Sequence, residues 1–256
     1  MIKAVFFDID GTLFSYSIQG IPPSAIKALK LLKEKNILCI IATGRHPKEV
    51  RLLPLHQMNM DGYVLLNGQI CADQNFVPFF GTPFSGPALK AVLQIFQEKR
   101  IPVMLYSSER FYLNTFTDEV QETYNYMQRP LPKIDGYQGE DIYQLTVYAS
   151  NKQAEFWGNQ IPDCKLLHWN SFVTDIIPSE GGKMKGIRKM LEHIHCSPDE
   201  IMAFGDGQND ADMLEFAGIG VAMGNGHPEA KKHADFITKD IDDDGIFYAL
   251  KHFNII

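Results

Sequence analysis

The sequence predicts an α/β protein: a doubly wound parallel sheet with helices on both faces, interrupted by a smaller α+β unit. Three observations predict it. Short apolar runs alternate with helical stretches over residues 1–80 and again over 183–256, the pattern of a parallel sheet with crossover helices. Several of those runs end in acids, hydroxyls or glycine, as expected where strand ends border a ligand crevice. Between the two stretches the periodicity changes near residue 82. With 256 residues, 45% of them hydrophobic, the chain can bury one sizeable core and a smaller one.

The first element is the apolar run at residues 2–7, rich in Val, Ile and Phe, which suits a buried parallel strand. It ends in Asp8-Ile9-Asp10-Gly11-Thr12. Side chains alternate along a strand, so Asp8 and Asp10 share a side if the extended backbone continues. Two carboxylates so close repel unless a cation lies between them, and hard oxygen ligands suit Mg²⁺. Gly11 permits a tight turn and Thr12 can cap the segment after it. Read alone, the Asp-Gly pair is also an ordinary strand-to-turn junction.

Residues 37–42 form the next strand and run into Thr43-Gly44-Arg45 and His46-Pro47. Pro47 suits the first position of a helix. A hydroxyl and the amides of Thr43 or Gly44 at such a turn can bind phosphate. Residues 63–66 give a third strand, followed by Asn67-Gly68. After the change in periodicity come a helix over 88–99, strands over 101–106 and 110–115 joined by Ser107-Ser108-Glu109, and a helix over 119–127. That strand spacing is a hairpin's. A loop over 129–139, a strand over 142–149, a helix over 152–159 and strands over 165–169 and 172–177 complete the inserted unit.

The parallel pattern resumes after Gly181-Gly182-Lys183-Met184-Lys185-Gly186, where apolar Ile187, Met190, Leu191 and Ile194 mark a helix. A lysine at this entry can place a point charge in a cleft; Lys183 and Lys185 both qualify. Ser197-Pro198-Asp199-Glu200 reads as one tight turn before the strand 201–204, which leads into Gly205-Asp206-Gly207-Gln208-Asn209-Asp210. Asp206 is the candidate to complete a metal site with Asp8, Asp210 to orient Lys183 or metal-bound water, and Asn209 to hydrogen-bond phosphate. A dinucleotide fingerprint fails here because Asp210 stands where glycine or alanine is needed.

Together and in this order, these segments resemble the haloacid dehalogenase (HAD) superfamily of phosphohydrolases. Val221-Ala222-Met223-Gly224-Asn225-Gly226, Asp243-Asp244-Gly245-Ile246, Asn67-Gly68 and Asp175-Ile176-Ile177-Pro178 are similar to its Cof-type sugar-phosphate phosphatase branch. The resemblance implies a Rossmann-like core over 1–82 and 180–256, with an α+β cap for substrate specificity over 83–179. It implies Asp8 as nucleophile and Asp10 as general acid and base. Mg²⁺ would be held by Asp8, the Asp10 carbonyl and Asp206, with Asp210 behind them. Ile9, Thr43, Gly44, Arg45 and Asn209 would serve the phosphate and Asn67 the substrate. Alignment from Pro178 puts the family lysine on Lys183, with Lys185 in second place. The expected substrate is a small phosphorylated metabolite, a sugar phosphate or a phosphorylated cofactor. Within the cap, Arg110, Tyr112, His168 and Trp169 are readable either as substrate contacts or as packing, and none is assigned.

Two other classes fit parts of this pattern. A phospho-acceptor signalling domain also gathers aspartates, a threonine and a lysine at strand ends, and a phosphomutase of the same superfamily would return the phosphate to its substrate. Chain length, the inserted unit and an acid two residues after the nucleophile stand against the signalling domain, and isomerised sugar phosphate without released phosphate would reveal the mutase. A net charge of −7 argues against nucleic acid and anionic membranes as partners. No apolar run approaches the roughly 18 residues that span a bilayer. The first residues meet Asp8 within their apolar run, unlike a secretion signal, so a cytoplasmic location is expected. Cys39, Cys71, Cys164 and Cys196 show no Cys-x-x-Cys pairing and read as reduced packing thiols. His193 and His195 stand two apart on a helix and point in different directions.

Overall fold

The computed structural model describes residues 1–54, 58–126 and 130–256; Met127 and Arg129, which end two of the expected segments, lie outside them. The chain forms two units. One comprises Met1–Arg45, Glu49–Phe80 and Lys183–Ile256, the other His46–Lys48 and Gly81–Gly182.

The first unit is built on strands β1 (Ala4–Phe7), β2 (Leu38–Ala42), β3 (Gly62–Leu65), β4 (Ile70–Asp73) and β5 (Pro78–Gly81). Its helices before the second unit are α1 (Pro23–Glu34) and α2 (Pro47–Leu52). After the second unit the chain adds α6 (Lys183–Ile194), β11 (Ile201–Gly205), α7 (Ala211–Phe216), β12 (Ile219–Ala222), α8 (Pro228–His233), β13 (Phe236–Ile237) and α9 (Gly245–His252). The sheet order is β13-β12-β11-β1-β2-β3-β4-β5. It is parallel from β13 to β3, with Ala4 of β1 in register with Leu38 on one side and Ile201 on the other. The central strand β1 is buried throughout, which is why its sequence is continuously apolar and does not alternate.

Helix α1 opens on Pro23, whose missing amide costs nothing at a first position. It buries Ala25, Ala28, Leu29 and Leu32 along one face, the spacing of an amphipathic helix. Helix α6 buries Gly186, Ile187, Met190 and Leu191. Of these, Ile187, Met190 and Leu191 join Phe6, Ile40, Val64, Met213 and Leu214 in one core. The capping pattern at Ser197 closes a single helical turn over Pro198–Glu200, in which Ser197 N donates to Glu200 Oε2 at 3.0 Å.

One expectation fails here. Residues 1–80 do not alternate strand and helix to the end, because β3 is followed by a strand running antiparallel to it, β4, and then by β5. Leu66, Asn67 and Gly68 all take positive φ, at 49°, 54° and 85°, and that run of left-handed residues turns the chain back before a helix can start.

The second unit holds α3 (Gly86–Glu98), β6 (Val103–Tyr106), β7 (Phe111–Leu113), α4 (Asp118–Tyr126), β8 (Gln144–Tyr148), α5 (Asn151–Gly158), β9 (Cys164–His168) and β10 (Val173–Pro178). Its antiparallel sheet is ordered β7-β6-β8-β10-β9, and β6–β7 is the expected hairpin. Val92, Ile95, Phe96, Leu105, Leu145 and Trp157 form its core. Arg110 is held by Asp135, Glu140 and the Gly136 carbonyl. Buried Tyr112 donates to Glu140 at 2.6 Å, and His168 Nδ1 lies 2.8 Å from the Thr174 hydroxyl. Arg110, Tyr112 and His168 are thus each engaged by partners within this unit. Among the described residues no helix is long and apolar enough to cross a membrane.

Candidate active site

Where β1 stops, its ladder to β11 continues one step further, with Asp8 N donating to Phe204 O at 3.0 Å. Asp8 therefore leaves the sheet at a fixed point beside Asp206, which comes directly after β11. The chain then closes tightly: the Ile9 carbonyl accepts from the amides of Thr12, Leu13 and Phe14 at 3.2, 2.9 and 2.7 Å. Gly11 makes the turn at φ 80°, and a Cβ there would lie 2.3 Å from Asp206 Oδ2. Glycine is required on both counts. Thr12 does not cap a helix; its hydroxyl donates to Asp206 Oδ1 at 2.9 Å, tying the two acidic loops together.

Lys183 opens α6 and is 7% exposed, as is Asp8. Its Nζ donates to Asp8 Oδ1 at 2.8 Å and also to Asp210 Oδ1. Asp210 is fully buried, and its other oxygen accepts from the amides of Asp206 and Gly207 at 3.0 and 2.9 Å. Backbone amides thus fix one oxygen of Asp210, and the other orients Lys183. Half-buried Lys185 sits two positions further along α6.

Electrostatics follow from this crowding. Burial pushes Asp8 well above the usual carboxylate range; the Lys183 charge opposes it, while Asp210, Asp206 and Asp10 add to it. Asp206 is pushed up to about 7, by burial first and the Asp210 charge second, against the Thr12 hydrogen bond. Lys183 is raised as well, and for a lysine that favours the charged form. Burial would lower it, but the Asp210 and Asp8 charges raise it, so it stays an ammonium. Carboxylate oxygens of Asp8, Asp206 and Asp210 lie within 4.8 Å of one another. Such a cluster, short of positive charge, fits a divalent cation with hard oxygen ligands.

The loop after β2 lies in the same unit. Thr43 is buried, and its hydroxyl accepts from Arg45 N at 3.2 Å. Its amide donates to Val64 O at 2.9 Å as an extension of the β2–β3 ladder, so of the two amides expected at a phosphate the Thr43 one is already committed. Asn67 is buried in the left-handed turn, its own amide bonded to Thr43 O at 3.1 Å. Its side chain closes over Gly44, where a Cβ would be 2.9 Å from Asn67 Oδ1. Asn209 is exposed on the turn after β11.

Arg45 gives a different picture from the one its sequence position suggests. The side chain is buried and its Nε donates to Asp10 Oδ2 at 2.8 Å, with a second guanidinium bond to Oδ1. Burial works against the charge, but the paired Asp10 outweighs it and keeps the guanidinium protonated. Tyr16, which no sequence signal singles out, donates its hydroxyl to Asp10 Oδ1 at 2.5 Å.

Residues 5–250 match the haloacid dehalogenase-like hydrolases. The chain belongs to that family. It is 33% identical to a Bacillus subtilis (strain 168) protein named "Putative phosphatase YkrA", over 99% of this chain and 98% of that one. In fold it is similar to BT1666 from Bacteroides thetaiotaomicron, described among HAD phosphatases, with a TM-score of 0.89 and 29% identity over 100% of this chain and 96% of the other. It is also similar to BT4131, described as a HAD subclass IIB sugar phosphatase, with a TM-score of 0.86 and 30% identity over 99% and 100%. The family and α/β fold expected from the motifs are therefore those of the molecule, and the HAD protein is a hydrolase of the phosphatase kind.

Proposed function

We propose that this HAD hydrolase cleaves a small phosphorylated metabolite, a sugar phosphate or a phosphorylated cofactor, through an aspartyl-phosphate on Asp8 with Mg²⁺ bound. The observation that carries the proposal is the pairing of buried Asp8 with Lys183 at 2.8 Å: a nucleophile at a strand end beside a fixed cation. Asp8 attacks phosphorus as the ester P–O bond breaks, and Asp10 gives its carboxyl proton to the departing alkoxide. The Asp10 carboxylate then takes a proton from water attacking the same phosphorus. The bond to Asp8 breaks, releasing inorganic phosphate and restoring the enzyme. Thr43, Gly44, Lys183 and Asn209 hold the phosphoryl oxygens, and Ile9 shapes the loop beneath them. The inserted unit, acting as a cap, reads the organic group.

Mg²⁺ fits the donor set of Asp8, Asp206 and the Asp10 carbonyl. Bound there, it neutralises phosphate charge and orients the phosphate for attack. Metal binding stabilises the fold by mass action, by about 2.7 kcal/mol at one hundred times the dissociation constant. Mg²⁺ is therefore expected to raise the melting temperature of the wild-type protein. Asp206→Asn is expected to abolish that rise, and an unchanged rise in the variant would remove Asp206 from the site.

Asp10→Asn is expected to lower kcat/KM toward alkyl phosphates by roughly 10²–10⁴-fold, the usual reach of general acid–base catalysis. An unchanged rate would contradict the assignment. The reading as a whole is tested by phosphate release from a panel of phosphorylated sugars and cofactors with Mg²⁺, beside an EDTA control. Metal-dependent release supports it. Isomerised substrate without free phosphate would point to a mutase.

A further inference from the structure

We propose that Tyr16 is a positioning residue for Asp10, and that Asp242 near the C-terminus holds Tyr16 in place. The proposal rests on the acid–base role given to Asp10 above. Asp10 needs outside support. It lies beyond the β1 ladder, bridged to Phe14 through the backbone, and its side chain is 35% exposed, so burial does not fix its carboxyl. Two donors do so. The Arg45 guanidinium grips both oxygens from a buried position, and the Tyr16 hydroxyl bonds Oδ1 at 2.5 Å. Together they leave the carboxylate little freedom to rotate, so Asp10 keeps one orientation toward the reacting oxygen as it takes up and gives its proton.

Tyr16 is 44% exposed, and its ring meets Phe14 edge-on at 5.5 Å. A tyrosine kept for core packing would be buried. Its placement comes from the loop around it. Ser15 and Gly20 pair through both amides at 2.8 and 3.1 Å, Gln19 turns the chain at φ 51°, and Gln19 Nε2 donates to Tyr16 O at 2.7 Å. Ser15 and Ser17 flank Tyr16, and their hydroxyls donate to the two oxygens of one carboxylate, Asp242, each at 2.6 Å. Residues 16–19 form the turn between Ser15 and Gly20, and within it both serine side chains reach Asp242 while the Tyr16 hydroxyl reaches Asp10. Tying both neighbours of Tyr16 to one carboxylate fixes the turn from which its hydroxyl meets Asp10.

Asp242 is itself anchored. Its amide donates to Asp240 Oδ1 at 3.1 Å. Asn225 accepts from Ile241 N at 3.0 Å and donates to Gly11 O at 2.8 Å. The Gly224-Asn225-Gly226 segment and the acidic run before Gly245 thus gain a purpose: they brace the loop that carries the acid–base group.

The test exploits leaving groups. kcat/KM for phosphoryl transfer to Asp8 depends on Asp10 when the departing group is a poor one, and much less for p-nitrophenolate, which leaves without a proton. Tyr16→Phe removes one hydroxyl from a charged partner, and such a bond is worth about tenfold or more. The ratio of kcat/KM for an unactivated primary alkyl phosphate to that for p-nitrophenyl phosphate is therefore expected to fall about tenfold. Asp242→Ala is expected to lower the same ratio, and the double variant to fall no further than Tyr16→Phe alone. Asp10→Asn, measured beside them, should lower the ratio most. A Tyr16→Phe enzyme with the wild-type ratio overturns the proposal. A wild-type ratio in Asp242→Ala removes the anchor. If Asp10→Asn itself leaves the ratio unchanged, the acid role fails and the proposal falls with it. A merely structural role would slow both substrates alike.

Discussion

Replacing Asp8 with asparagine is expected to lower turnover by on the order of 10⁴-fold or more, the scale seen when an enzyme loses its nucleophile. The fold should survive. Asparagine has the shape of aspartate, its amide oxygen can still accept from Lys183, and Lys183 keeps its bond to Asp210. Burial already disfavours the charged form of Asp8, so a neutral side chain relieves a cost in the metal-free protein. The variant should therefore melt at the wild-type temperature or above it without Mg²⁺, while releasing no phosphate. A thermal melt beside a phosphate-release assay checks both halves, and an active Asp8→Asn protein would exclude Asp8 as nucleophile.

Lys183→Ala should fail in two ways at once. Loss of a preorganised cation at the transferring phosphate costs on the order of 10²–10³-fold in kcat. The substitution also strands Asp8 and Asp210, whose buried carboxylates share this ammonium. Breaking a buried pair by removing one partner costs about 3–5 kcal/mol. Mg²⁺ should recover part of that stability by returning positive charge to Asp8, but not the activity. Half-buried Lys185 offers a control: Lys185→Ala is expected to change neither kcat nor the melting midpoint appreciably. The opposite outcome for the two lysines, read by denaturant titration and steady-state rates, would move the role to Lys185.

The sequence made the parallel core legible because β1, β2 and β11 are buried on both faces and so must be written as continuous apolar runs. The acids at their ends stood out for the same reason: a charge directly after such a run has no packing purpose. Lys183 stood out at its glycine-rich entry to α6, with Lys185 in second place, and the structure sets the Lys183 Nζ 2.8 Å from Asp8 Oδ1. The hidden features depend on long-range geometry. Tyr16 is flanked by serines whose partner lies more than two hundred positions away, 227 for Ser15 and 225 for Ser17, and no local pattern encodes that. Arg45 was legible as a positive charge in the loop after β2, but its engagement by Asp10 was not. The antiparallel β4, and β5 after it, were missed because the left-handed turn begins at Leu66, a residue type that does not advertise positive φ.

The central claim, that Asp8 carries the phosphoryl group, is tested most directly by quenching the enzyme during turnover of an active phosphate ester and reducing the acyl phosphate with borohydride. The account predicts that residue 8 alone is converted from aspartate to homoserine, read by peptide mass spectrometry, and only when substrate is present. Reduction at another carboxylate, or none at residue 8 while phosphate release proceeds, would contradict it.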